Sequence, residues 1–202
     1  MADVTINQLT TGTPNKNSAV IPYSDGTTTL KTSPSGIVAA SPGALLQVVQ
    51  AVKTDTQVFS PPSNYQNWQD ISGLSVTIVP KGSNSKMLIN VALAFLGDVG
   101  TQGYCRILRN GTTPIGVGND LGRVRASFNK FINQENEIPT TGFMFLDEWN
   151  SQSPVTYKLQ VLGQGPNTST GTIYVNRSVT WSTSSQESCT SCSTLIVQEI
   201  AG

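Results

Sequence analysis

Residues 87–95 read Met-Leu-Ile-Asn-Val-Ala-Leu-Ala-Phe, and Asn90 is the only polar residue among them. A short apolar run that follows a polar loop (81–85) predicts a β-strand covered on both faces. The preceding stretch Leu74-Ser-Val-Thr-Ile-Val79 alternates between apolar and polar residues and ends at Pro80, which predicts a second strand. Monomeric sandwiches usually keep one face of a sheet in water, so the doubly apolar run suggests packing against sister subunits.

Short strands separated by turns continue towards the C-terminal end. Residues 104–109 run into Asn110-Gly111, the strongest short hairpin signal, and residues 112–117 return from it. Further strands are expected at 143–149, 156–162, 172–177 and 194–200. The series predicts a mainly β fold, an antiparallel jelly-roll-type β-sandwich in residues 58–202, with the last strand inside a sheet.

A short helix is predicted at residues 44–57, just after Pro42. Leu45, Val49 and Val52 are spaced by four and three residues, which would line them along one helical face. The stripe is too short for an isolated coiled coil, so it indicates a self-association stalk supported by a folded domain beside it. The alternative is that the stripe packs on the β-domain of its own chain.

Residues 1–43 form a polar segment, rich in Pro and Gly, that contains only short apolar pieces. Such a segment cannot bury enough surface to fold alone. Residues 20–23 and 28–32 lie on either side of the turn signal Tyr23-Ser-Asp-Gly-Thr27 and are expected to pair as a small hairpin. The segment is either a flexible tail or an attachment arm that orders on a partner, and the apolar residues of such an arm are Val4, Ile6, Leu9, Ile21, Tyr23 and Leu30.

Composition narrows the function classes. The chain has 12 Lys and Arg against 12 Asp and Glu, so electrostatic binding to nucleic acid is not expected. It contains no histidine, which excludes catalytic triads and metal sites built on imidazole. No apolar run is long enough for membrane insertion, and the first residues lack the features of a signal peptide, so synthesis in the cytoplasm is expected.

Few residues fit a catalytic or metal site. Asp147 and Glu148 are adjacent, so on a strand they point to opposite faces and cannot easily serve one bond. Glu135 and Glu137 would share a face if extended, but nothing beside them resembles a reaction site. Cys189-Thr-Ser-Cys192 matches half of a zinc ribbon without a second half. Phosphate and calcium loops are absent, so neither an enzyme nor a cofactor or metal is expected.

The segment 118–141 reads either as a short helix or as a long loop. Long loops at the end of a sandwich often carry recognition, which makes Arg123 and Arg125 candidate receptor contacts. Trp149 and Trp181 could offer flat rings to a sugar, although such residues more often belong to a core or a subunit interface.

Several stretches of the chain together form a recognisable series. At the N-terminal end they are residues 3–9 and 21–31, followed by the short apolar segment. In the β-domain they are Trp68-Gln-Asp-Ile-Ser-Gly-Leu-Ser-Val-Thr-Ile-Val-Pro80, Lys86-Met-Leu-Ile-Asn-Val91, Arg109-Asn-Gly-Thr112 and Tyr174-Val-Asn-Arg-Ser178. In these stretches, which span most of the chain, the sequence resembles bacteriophage tail fibre and related virion fibre proteins, especially those of phages of cyanobacteria.

The resemblance implies a homotrimer located in the virion. Residues 1–43 would be the virion-attachment arm, docked on another protein of the tail, neck or head. Residues 44–57 would be a short helical stalk in the trimer, and residues 58–202 would form a head like the tumour necrosis factor or C1q sandwiches. Family fibres commonly bind a host-surface glycan or protein.

Two alternatives stay open at this point. One is a capsid decoration or cement protein, whose trimers would reinforce the head lattice. The other is a small carbohydrate-active jelly-roll enzyme, for which Glu135, Glu137, Asp147 and Glu148 would be the first residues to substitute.

Overall fold

The computed structural model describes residues 21–24, 29–32, 42–60, 67–119, 122–133, 138–165, 171–180 and 189–202. The chain divides into two compact units, Met1–Ala44 and Leu45–Gly202. In the first unit β1 (Ile21–Ser24) pairs antiparallel with β2 (Thr29–Thr32), which confirms the predicted hairpin. Tyr23 lies opposite Leu30 in this register. The other predicted arm residues, Val4, Ile6 and Leu9, lie outside the described residues.

The second unit consists of strands throughout its described residues. In chain order they are β3 (Leu45–Lys53), β4 (Gln57–Phe59), β5 (Gln69–Ile78), β6 (Lys86–Gly97), β7 (Gln102–Arg109), β8 (Thr113–Ile115), β9 (Phe128–Phe131), β10 (Thr140–Asp147), β11 (Val155–Gln164), β12 (Ile173–Val175) and β13 (Ser193–Ile200). All their pairings are antiparallel.

The strands form two sheets with jelly-roll connectivity. In sheet I, β3 and β4 lie one after the other along one edge. β13 pairs with β3, β12 pairs with β4, and both β13 and β12 pair with β6. β10 pairs with the other side of β6. In sheet II the order is β5, β11 and β7, and β7 then pairs with both β8 and β9. The predicted antiparallel β-sandwich of jelly-roll type is therefore confirmed for the described residues.

The core lies between the two sheets and forms from the inward-facing half of each strand. Along β6 the buried positions are Met87, Ile89, Val91 and Leu93, at every second residue as the strand period requires. Leu195 and Val197 of β13 extend this layer, and Ile107 of β7 and Leu159 of β11 meet it from sheet II in one continuous cluster. The last strand, β13, lies between β3 and β6, as expected for a strand inside a sheet.

The Asn110-Gly111 turn joins β7 to β8 as predicted. Asn110 has φ 50° and Gly111 φ 76°, so both central residues occupy the left-handed region that the tight hairpin turn requires. The side chain of Asn110 also accepts a hydrogen bond from the backbone N–H of Thr156 at 3.0 Å, which ties the turn to β11.

The predicted helix at residues 44–57 is wrong, because this segment forms β3 and β4. Three of the nine residues of β3 are valine, whose branched side chains favour a strand, and β13 supplies a complete hydrogen-bonding partner for it. Val49 points to the core, whereas Leu45 and Val52 are exposed. The residues proposed to form one helical stripe therefore lie on opposite faces of a sheet.

Glu199 of β13 fastens the loop that joins β5 to β6. Its carboxylate accepts hydrogen bonds from the backbone N–H of Lys81 at 2.7 Å and of Gly82 at 3.1 Å, and from Gln47 Nε2 at 2.6 Å. Burial acts to raise the pKa of Glu199, but the hydrogen bonds donated to it outweigh burial and hold the pKa below its usual value of 4.5. The ionised form is therefore the one that the fold stabilises.

We expect the stability of the protein to depend on Glu199 in a pH-dependent way. Because its folded pKa is lowered, its contribution is fully present above about pH 4.5 and is lost as the pH falls through the folded pKa. E199Q should cost about 1 kcal/mol at pH 7 and less at pH 3. Denaturant melts at both pH values measure this difference. E148Q, at an exposed carboxylate, is the control, and an equal loss at both pH values in E199Q would contradict the prediction.

Candidate functional site

The outward side of sheet I is a broad apolar surface, here called the apolar face. Of the nine large hydrophobic side chains that are exposed in the described residues, five lie on it, with Met144 64% and Val48 50% exposed. The apolar face is the outward side of β3, β13, β6 and β10. Its apolar residues are Leu45, Val48, Val52, Leu88, Ala92, Met144, Leu146, Ile196 and Ile200, and Gln50, Asn90, Thr194 and Gln198 lie among them. An exposed patch of this extent is typical of a protein–protein contact.

The polar residues of the apolar face carry no charge in its interior. Asn90 Nδ2 donates a hydrogen bond to Gln198 Oε1 at 3.3 Å, so these two amides partly satisfy each other. Lys86, at the end of β6, is the only charged residue that points outward from the four strands, and it pairs with Glu148 at 3.0 Å. A surface with this distribution loses little when it is desolvated by a partner.

Strand β10 forms an edge of sheet I, and within the described residues it pairs only with β6. Residues 140–146 contain no charged residue and no proline, which are the usual protections of an edge strand. The unprotected edge adjoins Met144 and Leu146 of the apolar face. The apolar face and the unprotected edge therefore lie side by side on this side of the unit.

The outward side of sheet II, here called the polar face, has the opposite character. Asp70 accepts hydrogen bonds from Lys158 Nζ at 2.8 Å and Gln160 Nε2 at 2.6 Å. Gln160 Oε1 in turn accepts from Arg106 Nε at 2.8 Å, and the Arg106 guanidinium lies 4.3 Å from the centre of the Trp68 ring. A charged network of this kind remains solvated, so the two outward faces of the sandwich differ in chemistry.

The four predicted receptor contacts have different settings. Arg125 is exposed and lines a pocket at one end of the polar face, whereas Arg123 is exposed and does not line it. Trp149 packs against the core and donates a hydrogen bond from Nε1 to the carbonyl of Ser153 at 3.0 Å, as the alternative reading of this residue anticipated. Trp181 lies outside the described residues.

Strand β9, at residues 128–131, belongs to this pocket and was not predicted from the sequence. Its two phenylalanines, Phe128 and Phe131, are three residues apart, a spacing that fits a helix as well as a strand. In the structure these residues form a strand because they pair with β7. This pairing places Asn129 opposite Tyr104.

The two adjacent acids at the end of β10, Asp147 and Glu148, lie in different environments. Asp147 is buried, where its Oδ1 accepts from Arg109 Nη1 at 2.7 Å and its Oδ2 accepts from the Tyr157 hydroxyl at 2.7 Å. Glu148 is exposed. Burial raises the pKa of the Tyr157 hydroxyl, and the hydrogen bond to the Asp147 carboxylate raises it further. The hydroxyl therefore stays protonated and donates. Glu135 and Glu137 lie outside the described residues.

The three cysteines are free thiols. Cys105 is buried on β7, and burial raises the pKa of its thiol, whereas Cys189 and Cys192 are exposed. Among the described ranges, no three His, Cys, Asp or Glu side chains converge as a metal site would require. Nowhere in those ranges is there a helix with the length and hydrophobicity needed to cross a membrane.

Comparison with known proteins gives distant likenesses to solved structures. No protein-family model and no curated protein matches the chain. Among solved structures, the chain is similar to a protein chain in the structure of infectious bursal disease virus, Gx strain, with TM-score 0.40, 14% identity and coverage of 91% of this chain. It is also similar to the VP2 subviral particle of infectious bursal disease virus, with TM-score 0.36, 12% identity and the same coverage. The chain spans 42% of the length of each of these viral chains.

Proposed function

We propose that the protein is a virion structural protein, the head and arm of a short homotrimeric phage fibre. The observation that supports this most is the apolar face, which lies beside the unprotected edge of β10. An exposed sheet face whose interior carries no charge, beside a free edge, is an aggregation hazard in a monomer, and an assembled protein buries both.

The two features favour a ring of subunits over a face-to-face dimer. Face-to-face packing about a twofold axis would bury the apolar faces but leave the β10 edges free. A heterologous contact, in which the β10 edge of one subunit meets the apolar face of the next, buries both features and closes as a ring. Three is the smallest number of subunits that closes such a ring, and it is also the number that the fibre resemblance implies.

The proposed assembly leaves the polar face and residues 1–43 available to bind other molecules. The polar face stays in water when the apolar face is covered, so it is the side on which a host-surface glycan or protein would bind. Residues 1–43 would dock on another virion protein of the tail, neck or head. They belong to a compact unit separate from the β-sandwich, in which the β1–β2 hairpin offers an ordered element for docking.

Two measurements test this proposal. Light scattering should give a native mass three times the 21.5 kDa chain mass, and a chain that starts at Leu45 should keep the trimer. Gold-labelled antibody on purified particles should mark a fibre at the tail, baseplate or neck. Label spread over the head lattice would instead favour a capsid decoration or cement protein. A monomer that is absent from particles would overturn the proposal.

A further inference from the structure

A pocket of about 260 Å³ opens at one end of the polar face, between β7, β9 and the loop that leads into β9. The side chains that matter here are Tyr104, Asn119, Arg125 and Asn129. Pockets for drug-sized ligands enclose roughly 300–1,000 Å³, so this one has room for a single small ring.

The walls of the pocket are held by hydrogen bonds from Ser127. Its hydroxyl accepts from the backbone N–H of Ile107 at 3.1 Å and donates to the carbonyl of Ile115 at 2.9 Å. Its own backbone N–H donates to the carbonyl of Cys105 at 2.8 Å. These bonds fix the loop to β7 and β8, so the pocket exists before a ligand arrives and binding costs little ordering.

One hydrogen bond fixes the side chain of Arg125 and leaves its terminal amino groups available to a ligand. Its Nε donates to the carbonyl of Gly118 at 3.1 Å, and within the described part of the chain its two terminal amino groups have no hydrogen-bond partner. None of the described lining residues is acidic, so nothing among them neutralises the guanidinium. A planar guanidinium with two free amino groups fits a carboxylate in a bidentate arrangement.

The other lining groups fit a sugar ring. Tyr104 and Asn129 are cross-strand neighbours on the outward side of sheet II, so a phenol ring and an amide lie side by side. An aromatic ring packs against the apolar side of a pyranose, and amides donate to and accept from its hydroxyl groups. Asn119 adds a second amide.

From these groups we infer that the pocket binds a single sugar ring that carries a carboxylate, such as a sialic or uronic acid residue of a host glycan. The inference rests on the proposed function, because it gives the host-recognition role of the polar face a ligand class. Arg125 would hold the carboxylate, Tyr104 the ring, and the two amides the hydroxyl groups.

Titration calorimetry on the full-length protein tests the ligand class. The probes are N-acetylneuraminate and glucuronate, with glucose as the size-matched neutral counterpart of glucuronate and N-acetylglucosamine as a neutral acetamido sugar. We expect the acidic sugars to bind at least about tenfold more tightly, as the loss of hydrogen bonds to a charged group implies. Equal binding of acidic and neutral sugars, or no binding of either, would overturn the inference.

Matched variants test the assigned residues. R125A should weaken binding of the acidic sugar about tenfold or more. R125K should keep part of the binding, because lysine supplies the positive charge but not the bidentate guanidinium. R123A is the control, since it removes the same charge from the same loop outside the pocket. Y104A should also weaken binding, whereas F131A, at an exposed ring on the neighbouring position of β9, should not. Equal losses in R125A and R123A would show non-specific charge attraction and would overturn the site.

The two proposals fail separately. Sugar binding is measured on the purified protein, so it does not depend on where the protein lies in a particle. A protein that binds acidic sugars but is absent from virions would contradict the proposed function alone. A trimeric virion protein that binds no acidic sugar would contradict this inference alone.

Discussion

The double substitution M144E/I196E is expected to leave the protein monomeric. Met144 and Ile196 flank Asn90 in one row across the middle of the apolar face. Each glutamate would place a carboxylate where a neighbouring subunit excludes water, and an unpaired buried charge costs several kcal/mol. A penalty of about 4 kcal/mol weakens association roughly a thousandfold. Light scattering at micromolar protein would then give the mass of one chain.

The control places the same charge on the other side of the sandwich. S75E/Q102E adds two carboxylates to the polar face, which stays in water in the proposed trimer. This variant should keep the trimer mass and the melting temperature of the parent. The assignment of the interface fails if M144E/I196E remains trimeric, or if both double variants dissociate alike.

Removal of the Asp147 carboxylate is expected to have the largest effect on stability. D147A leaves Arg109 and the buried Tyr157 hydroxyl without the acceptor that both use at 2.7 Å. Breaking a buried ion pair from one side costs roughly 3–5 kcal/mol, and the partial exposure of Arg109 places the expected loss near about 3 kcal/mol. Urea denaturation at equal protein concentration measures it, because the stability of an oligomer depends on concentration.

Two further variants separate the parts of this network. Y157F removes one hydrogen bond and keeps the ring, so about 1 kcal/mol should be lost. E148A, at the next residue, removes an exposed carboxylate whose pair with Lys86 is solvated, and it should cost less than about 1 kcal/mol. If E148A and D147A destabilise the protein equally, the difference in burial between these neighbours does not control their energetics.

The sequence carries most of the information for the sandwich because its strands depend on local signals. The alternation of β5, the apolar run of β6 and the Asn110-Gly111 turn each predict a local conformation, and the structure has all three. The largely apolar outer side of β6 was also visible in the sequence, since Asn90 is the only polar residue between Met87 and Phe95. Local sequence patterns do not show which strand pairs with which.

The segment of β3 shows that limit. Leu45, Val49 and Val52 fit a helical spacing, and Pro42 fits a helix start, so the local signals for a helix and a strand are balanced. The choice is made by β13, about 140 residues later in the chain, which pairs with β3 from Ser193 to Ile200. The pocket beside β9 is a similar case, because Tyr104 and Arg125 both line it only through the pairing of β7 with β9 and the hydrogen bonds of Ser127.

The position of β13 also sets an order for biosynthesis. Chains are made from the N-terminal end, and β13 leaves the ribosome long after β3 and β6, yet it fills the gap between them. Until it is released, β3 and β6 have no shared partner and sheet I remains in two parts. Every nascent chain therefore passes through a stage in which two open strand edges are exposed together, so we expect a translation pause or truncation before Ser193 to produce an aggregating species rather than a smaller folded domain.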